Sequence, residues 1–267
     1  MANYTAQDVK KLREETDAPM MECKAALDEA DGNFEKAKTI LREKGKAAAA
    51  KRTDRSTAAG VVAIALSADA KTVGAIVLES ETDFVARNED FIAIAQQIAE
   101  IYRDNETVDE STIKEIVESA VARIRENIRV TKTVHITSGN PIATYVHHDR
   151  TKGALVLSEG VASDSLRRIA VQVVSNPPEV LKKEDLSAEK IASEIEVETQ
   201  RAINEGKPEN LARNIAQGRV NKEYVKKAVL LEQPFYADAT KSVAQVLAEE
   251  AKGTTLTSFV YLAIGQS

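Results

Sequence analysis

The stretch Glu79-Ser80-Glu81-Thr82-Asp83-Phe84-Val85-Ala86-Arg87-Asn88 decides how this chain is read. It follows an apolar run, Val73 to Leu78, and precedes a segment with helical periodicity that extends to Tyr102. A short apolar run bounded by turn residues reads as a buried strand, and apolar residues three and four apart read as a helix. Thr82 or Asp83 suits the cap of that helix, because a short side-chain oxygen reaches the unpaired amides of the first turn. Phe84 then falls at the tip of a strand-to-helix junction, an unusual place for a large aromatic. The alternative folds Phe84 back beside Asn88 and Phe91, at i+4 and i+7, as ordinary core.

Working outward, the chain repeats itself. Gly74-Ala75-Ile76-Val77-Leu78 recurs as Gly153-Ala154-Leu155-Val156-Leu157, an offset of 79. Ile94-Ala95-Gln96-Gln97-Ile98 recurs as Ile169-Ala170-Val171-Gln172-Val173, an offset of 75. Each strand copy follows a polar turn with Asp and Lys, as a hairpin requires. Two hairpin-then-helix units are predicted, the first with a junction four residues longer than the second. The surplus falls at Thr82-Asp83-Phe84, whereas the second junction, Ser158 to Ser165, has no aromatic. A duplicated scaffold that differs at one loop points to function in that loop, since rigid elements position binding groups on their connections.

Upstream, residues 1–45 read as three short helices. Thr5 and Asp8 form a capping-box pattern, and Asp17 suits the cap of a second helix with Pro19 in its first turn. Met20, Cys23, Ala26 and Leu27 fall on one stripe of that helix. Phe34, Ala37, Ile40 and Leu41 carry the third, which Gly45 is expected to close as a left-handed cap. The basic, Ala-rich stretch 46–57 reads as a linker. Core subdomains follow at 58–145 and 146–267. The second is interrupted over about 183–231 by helices with narrow apolar stripes, the pattern of a projecting helical hairpin. A helix from Ser242 and a strand from Thr254 to Ile264 close the chain. The fold class is α+β.

Composition narrows the function. The 267 residues carry 36 Lys and Arg against 42 Asp and Glu, a net charge of −6. An acidic chain is poorly suited to phosphate-backbone binding, so nucleic acid is not the expected partner. Its longest apolar run, Val61 to Leu66, is far too short to span a bilayer. Cys23 is the only cysteine, which fits a reducing compartment, and the expected location is cytoplasmic.

Catalytic chemistry is poorly provided for. The three histidines are His135, His147 and His148. On a strand the adjacent pair would point to opposite faces and could not share a metal. No Gly-rich phosphate loop and no nucleophile–base pattern occurs, and no cofactor is expected.

Four stretches in order resemble bacterial elongation factor Ts, the nucleotide-exchange factor for elongation factor Tu. They are Val9 to Leu27, similar to the family's N-terminal ubiquitin-associated-like bundle; Thr82 to Asn88; Gly206-Lys207-Pro208 with Gln217-Gly218-Arg219; and Leu230 to Phe235. The resemblance implies a non-enzymatic exchange factor that forms a heterodimer with Tu. It implies that Asp83 and Phe84 act as a wedge that dislodges the Mg²⁺ bound to Tu, with Thr82 and Val85 holding the turn. Leu12, Arg13, Met20 and Met21 would form the bundle's docking face. Gln172, where many members carry His, would contact a second region of Tu. The helical insertion is the candidate surface for any higher assembly. Two readings compete: an adaptor that works through its bundle alone, leaving Asp83 and Phe84 dispensable, and a small-molecule enzyme.

Overall fold

A computed structural model describes residues 3–16, 18–160 and 164–266. Asp17, expected to cap the second helix, and Val161, Ala162 and Ser163 of the second junction lie outside the described residues. Contacts divide the chain into two units, one of Met1–Ala65, Gly74–His135 and Ala263–Ser267, the other of Leu66–Val73 and Ile136–Leu262.

The first unit begins with α1 (Ala6–Thr16), α2 (Met20–Glu29) and α3 (Phe34–Ala50). The Thr5–Asp8 box is reciprocal: the Thr5 amide donates to Asp8 Oδ2 at 2.7 Å and the Asp8 amide to Thr5 Oγ1 at 3.2 Å. Val9, Leu12, Cys23, Ala26, Leu27, Ala37 and Leu41 are buried together as the bundle core. Pro19 precedes α2 with a non-helical ψ of 142° rather than occupying its first turn. Gly45 is not a cap. The third helix runs on to Ala50, and a Cβ at Gly45 would lie 3.0 Å from the Ala122 Cβ, so this glycine permits close helix contact. The stretch expected to be a linker is therefore helical to Ala50 and then turns, with the Asn127 amide group donating to the carbonyls of Thr53 and Arg55.

Next come β1 (Ala59–Leu66), β2 (Thr72–Ser80), α4 (Asp83–Ala86), α5 (Glu89–Asp104), α6 (Glu110–Ile124) and β3 (Arg129–Thr137). The sheet order is β1-β2-β3. Ile76 and Leu78 from the sheet pack with Phe91, Ala95, Ile98, Ile113 and Val121 from the helices. Gly74 is required by that contact, because a Cβ there would stand 2.1 Å from the Ala99 carbonyl oxygen.

The second unit contains β4 (Ala143–Val146), β5 (Lys152–Gly160) and α7 (Ser165–Ser175). The β4–β5 hairpin is antiparallel, with Ala143 opposite Val156 and Val146 opposite Gly153. The projecting hairpin is α8 (Ala188–Asn204) and α9 (Glu209–Arg219), capped at Ser187 and broken by Gly206 at φ 82° before Pro208. Arg219 ties its two helices by pairing with Glu205 at 2.5 Å and Glu198 at 3.4 Å. A wide turn over Val220–Val225 leads to α10 (Lys226–Ala228). The unit ends with β6 (Pro234–Phe235), β7 (Asp238–Ser242), α11 (Val243–Glu250) and β8 (Thr254–Ala263), and its sheet order is β4-β5-β8. The architecture is the expected α+β arrangement of a three-helix bundle, a duplicated hairpin-plus-helix core and an inserted helical pair. Among the described residues no helix is long and apolar enough to cross a membrane.

Candidate partner-binding site

The junction after β2 does not run straight into one helix. Thr82 caps α4, a single turn, by accepting from the Val85 amide at 3.4 Å. The chain then extends at Asn88 (φ −71°, ψ 131°), whose side chain accepts from the Asp90 amide at 2.8 Å and starts α5. Both cap residues are short and polar, and each satisfies an amide the helix leaves unpaired. The break decides the fate of the two phenylalanines. Phe91, on α5, is 0% exposed, whereas Phe84, on the single turn, is 84% exposed. Burial of Phe84 as core is thereby excluded.

Its neighbours divide by face. Val85 is half-buried and packs against the first unit's core. Asp83 is exposed and paired with Arg87 at 3.0 Å across one turn. An exposed pair of that kind contributes little to stability, so Asp83 is an accessible carboxylate rather than a structural one.

Two carboxylates anchor the junction, Glu81 inside the stretch Glu79 to Asn88 and Glu126, which no sequence pattern singles out. Glu126, just past α6, accepts from the Thr82 amide at 3.0 Å and from the Thr82 hydroxyl at 2.6 Å. In return Glu81 accepts from the Asn127 amide at 2.6 Å. The corner between α6 and β3 is therefore bonded reciprocally to the corner between β2 and α4. Arg125, which ends α6 in the left-handed conformation at φ 68°, pairs with Glu22 of α2.

The four bundle residues separate. Met21 is 72% exposed and Met20 41%, and Arg13 is also exposed. Leu12 is 0% exposed: it is core and presents no docking surface, because α1 turns it between α2 and α3. Cys23 is buried on the opposite stripe of α2 from Met21, near the Thr16 hydroxyl, and burial pushes its thiol pKa up. That environment disfavours the thiolate, the reactive form.

Gln172 also departs from expectation. It is 0% exposed on α7, and its amide nitrogen donates to Gln233 Oε1 at 2.8 Å and to the Pro234 carbonyl at 3.3 Å. Its Oε1 accepts from the Tyr236 amide at 2.7 Å. Gln233 in turn donates to the carbonyls of Asn176 and Lys227. The side chain thus reaches no surface. It fixes the β6–β7 turn, on which Tyr236 is exposed.

The histidines behave differently from a strand pair. His147 and His148 follow β4 in a turn, with ring centroids 4.3 Å apart, and His147 Nδ1 lies 3.1 Å from the Tyr145 hydroxyl. His135 Nδ1 lies 2.6 Å from the Tyr102 carbonyl oxygen. Among the described residues no group of three or more potential ligands is placed to hold a metal ion. A cavity of about 700 Å³ borders α3 and α6, walled by the ion pairs Lys38–Glu15 and Arg42–Glu115. Neither Phe84 nor Met21 lines it. The candidate site is a projection, an exposed Phe84 on a capped turn, rather than a cavity.

The family model described as elongation factor TS matches residues 81–266, starting at the carboxylate that anchors the junction. An elongation factor Ts of Clostridioides difficile is 39% identical over 94% of this chain and 88% of its own length. That of Chloroherpeton thalassium is 37% identical over 94% and 93%, and that of Bordetella petrii 37% over 100% and 93%. With identity of this order spread from the bundle to the last strand, the chain belongs to the elongation factor Ts family.

Proposed function

We propose that this chain is a cytoplasmic guanine-nucleotide exchange factor that binds GDP-loaded elongation factor Tu as a heterodimer and accelerates GDP release during translation elongation. The single observation that carries the mechanism is Phe84, a large apolar side chain held out in solvent on a capped turn, with the Asp83 carboxylate beside it. Exposing a phenylalanine without a partner forfeits roughly 1.5–3 kcal/mol of burial. A buried destination on a partner recovers that energy.

In this reading Phe84 enters an apolar gap in Tu, and Asp83 brings negative charge towards the Mg²⁺ that bridges the nucleotide phosphates. Thr82 and Val85 hold the turn. Displacing the ion removes much of the nucleotide's binding energy, since Mg²⁺ bridges phosphate oxygens and protein ligands. Each ~1.4 kcal/mol lost raises the nucleotide's dissociation constant tenfold. By linkage, factor and nucleotide weaken each other's affinity by one common factor. No covalent bond is made or broken, so no catalytic base is required.

The bundle docks through Arg13, Met20 and Met21, with Leu12 supporting them from beneath. Methionine suits such a face because its unbranched, polarizable side chain adapts to an irregular partner surface. Gln172 serves a second contact indirectly, by fixing the turn that carries Tyr236. The α8–α9 hairpin, with Val197 and Leu211 exposed, offers a surface for higher assembly. The net charge of −6 disfavours direct nucleic-acid binding.

Release of fluorescent GDP from purified bacterial elongation factor Tu tests the proposal. Substoichiometric amounts of this protein are expected to accelerate release and turn over. A release rate unchanged at any concentration of the protein would overturn it.

A further inference from the structure

We infer that Glu126 is a positioning residue for exchange: it acts through Thr82 to hold Phe84 in its projecting pose. The inference rests on the exchange reading above for its biological meaning, but not for its structural content. An isolated helical turn is not self-supporting, because fixing its backbone angles costs more than its one or two hydrogen bonds return. α4 is such a turn, four residues long, and its defining side chain has no packing of its own. Something else must order it.

Two features supply that order. Val85 packs against the core from the turn's inner face. Glu126 grips the turn's first residue with both carboxylate oxygens, one on the Thr82 amide and one on the Thr82 hydroxyl. The hydroxyl is thereby oriented to donate to Glu126 while its lone pairs face the Val85 amide. A charged acceptor makes these bonds stronger than neutral ones.

The corner that presents Glu126 is itself fixed. Asn127 is buried, and its side chain donates to Arg55 O at 2.6 Å while its backbone amide donates to Glu81 at 2.6 Å. Arg125 holds the same corner to Glu22, one residue beyond the exposed Met21. The corner thus links both candidate contact elements, the bundle face and the Phe84 turn. Pre-ordering the wedge in the free protein removes an entropy cost that would otherwise fall due on insertion.

The test uses two readouts. The natural sequence has no tryptophan, so Phe84→Trp creates a single fluorescent reporter at the tip. In the protein without Tu, adding Glu126→Ala is expected to introduce fast local motion in the anisotropy decay of that reporter. Glu126→Gln, which retains one acceptor oxygen, is expected to give an intermediate decay. A reporter equally ordered in all three proteins would overturn the inference.

In the exchange assay, Glu126→Ala is expected to slow the GDP release that this protein stimulates from Tu about tenfold, the equivalent of ~1.4 kcal/mol. In a Phe84→Ala background the same substitution is expected to cost nothing further, since a residue acting through Phe84 has nothing left to position. An equal loss in both backgrounds would overturn the positioning role in favour of a general structural one. If Glu126→Ala does not fold, Glu126→Gln carries the same cycle with a smaller expected loss. Should the natural protein fail to stimulate Tu at all, the exchange reading falls, and the anisotropy experiment still decides whether Glu126 orders the turn.

Discussion

The two hairpin-plus-helix units start from the same sequence pattern and put it to different uses. In both, the strand core is buried: Ala75, Ile76 and Val77 in the first, Ala154, Leu155 and Val156 in the second. In both, the helix contributes buried residues at matched positions, Ala95 and Ile98 against Ala170 and Val173. They part most clearly at the connection and at one helical position. The first unit inserts a capped turn that holds Phe84 in solvent. The second has its glutamine turned inward: Gln172 is buried and bonded to Gln233, whereas Gln97, its counterpart in the repeat, is exposed. A shared scaffold thus carries a projecting side chain in one copy and an internally braced turn in the other.

The sharpest contrast is between the two phenylalanines seven residues apart. Phe91→Ala empties a fully packed site and is expected to cost about 3–5 kcal/mol of stability. Phe84→Ala removes nothing that is packed, and its effect is expected within about 0.5 kcal/mol. Denaturant unfolding of both variants checks this. Equal destabilisation would mean that Phe84 is buried in solution and that the projecting turn is wrong.

The glutamines provide a second pair. Gln172→Ala removes the acceptor of the Tyr236 amide and the donor to Gln233 Oε1, and unsatisfied buried groups cost about 1–3 kcal/mol each. Gln97→Ala, on an exposed helical face, is expected to change stability by less than about 0.5 kcal/mol. Thermal melts of the two variants measure the difference directly. A tolerant Gln172→Ala would show that the second unit's turn holds without its brace.

Smaller again is Thr82→Val, which keeps the shape of the side chain and removes the cap hydroxyl. A loss of about 1 kcal/mol is expected, typical of a deleted helix cap. The smallest effect is chemical. Burial raises the Cys23 thiol pKa and so holds back the thiolate, so iodoacetamide is expected to label the native protein far more slowly than the unfolded one at neutral pH. Labelling that speeds up only when the pH is raised well above neutral agrees with this sign, and fast native labelling at neutral pH contradicts it.

Much of this architecture was legible because it is written in local contacts. The Thr5–Asp8 box, the Gly206-Lys207-Pro208 break and the Ser242 cap each depend on residues within a turn or so of one another. The repeat located both sheets. Local patterns misled where a distant element supplied the constraint. Gly45 looks like a helix end, but Ala122 of α6 gives it a different purpose. Leu12 and Met21 are both apolar residues of the bundle's helices, and only the packing of three helices shows that one faces in and the other out.

The candidate site shows the same division. Thr82, Asp83 and Phe84 stand out in sequence because they are contiguous and break the repeat, and Val85 joins them through the family resemblance. Glu126 did not stand out, since its partner lies 44 residues away and a single glutamate after a helix carries no pattern. Gln172 reads as a contact only through the family resemblance, in which many members carry His there, and its burial depends on Gln233, 61 residues on. The separate cap at Asn88 was readable in principle, as a short polar residue followed by Glu89 and Asp90.

The central claim is that one exposed side chain converts binding into exchange. GDP release from elongation factor Tu should be measured with the natural protein and with Phe84→Ala, alongside the affinity of each for nucleotide-free Tu. The account predicts that the variant still forms the complex while its stimulation of release falls roughly 10- to 100-fold, as the loss of one buried phenylalanine implies. Undiminished stimulation by Phe84→Ala would contradict it and move the origin of exchange to another part of the interface.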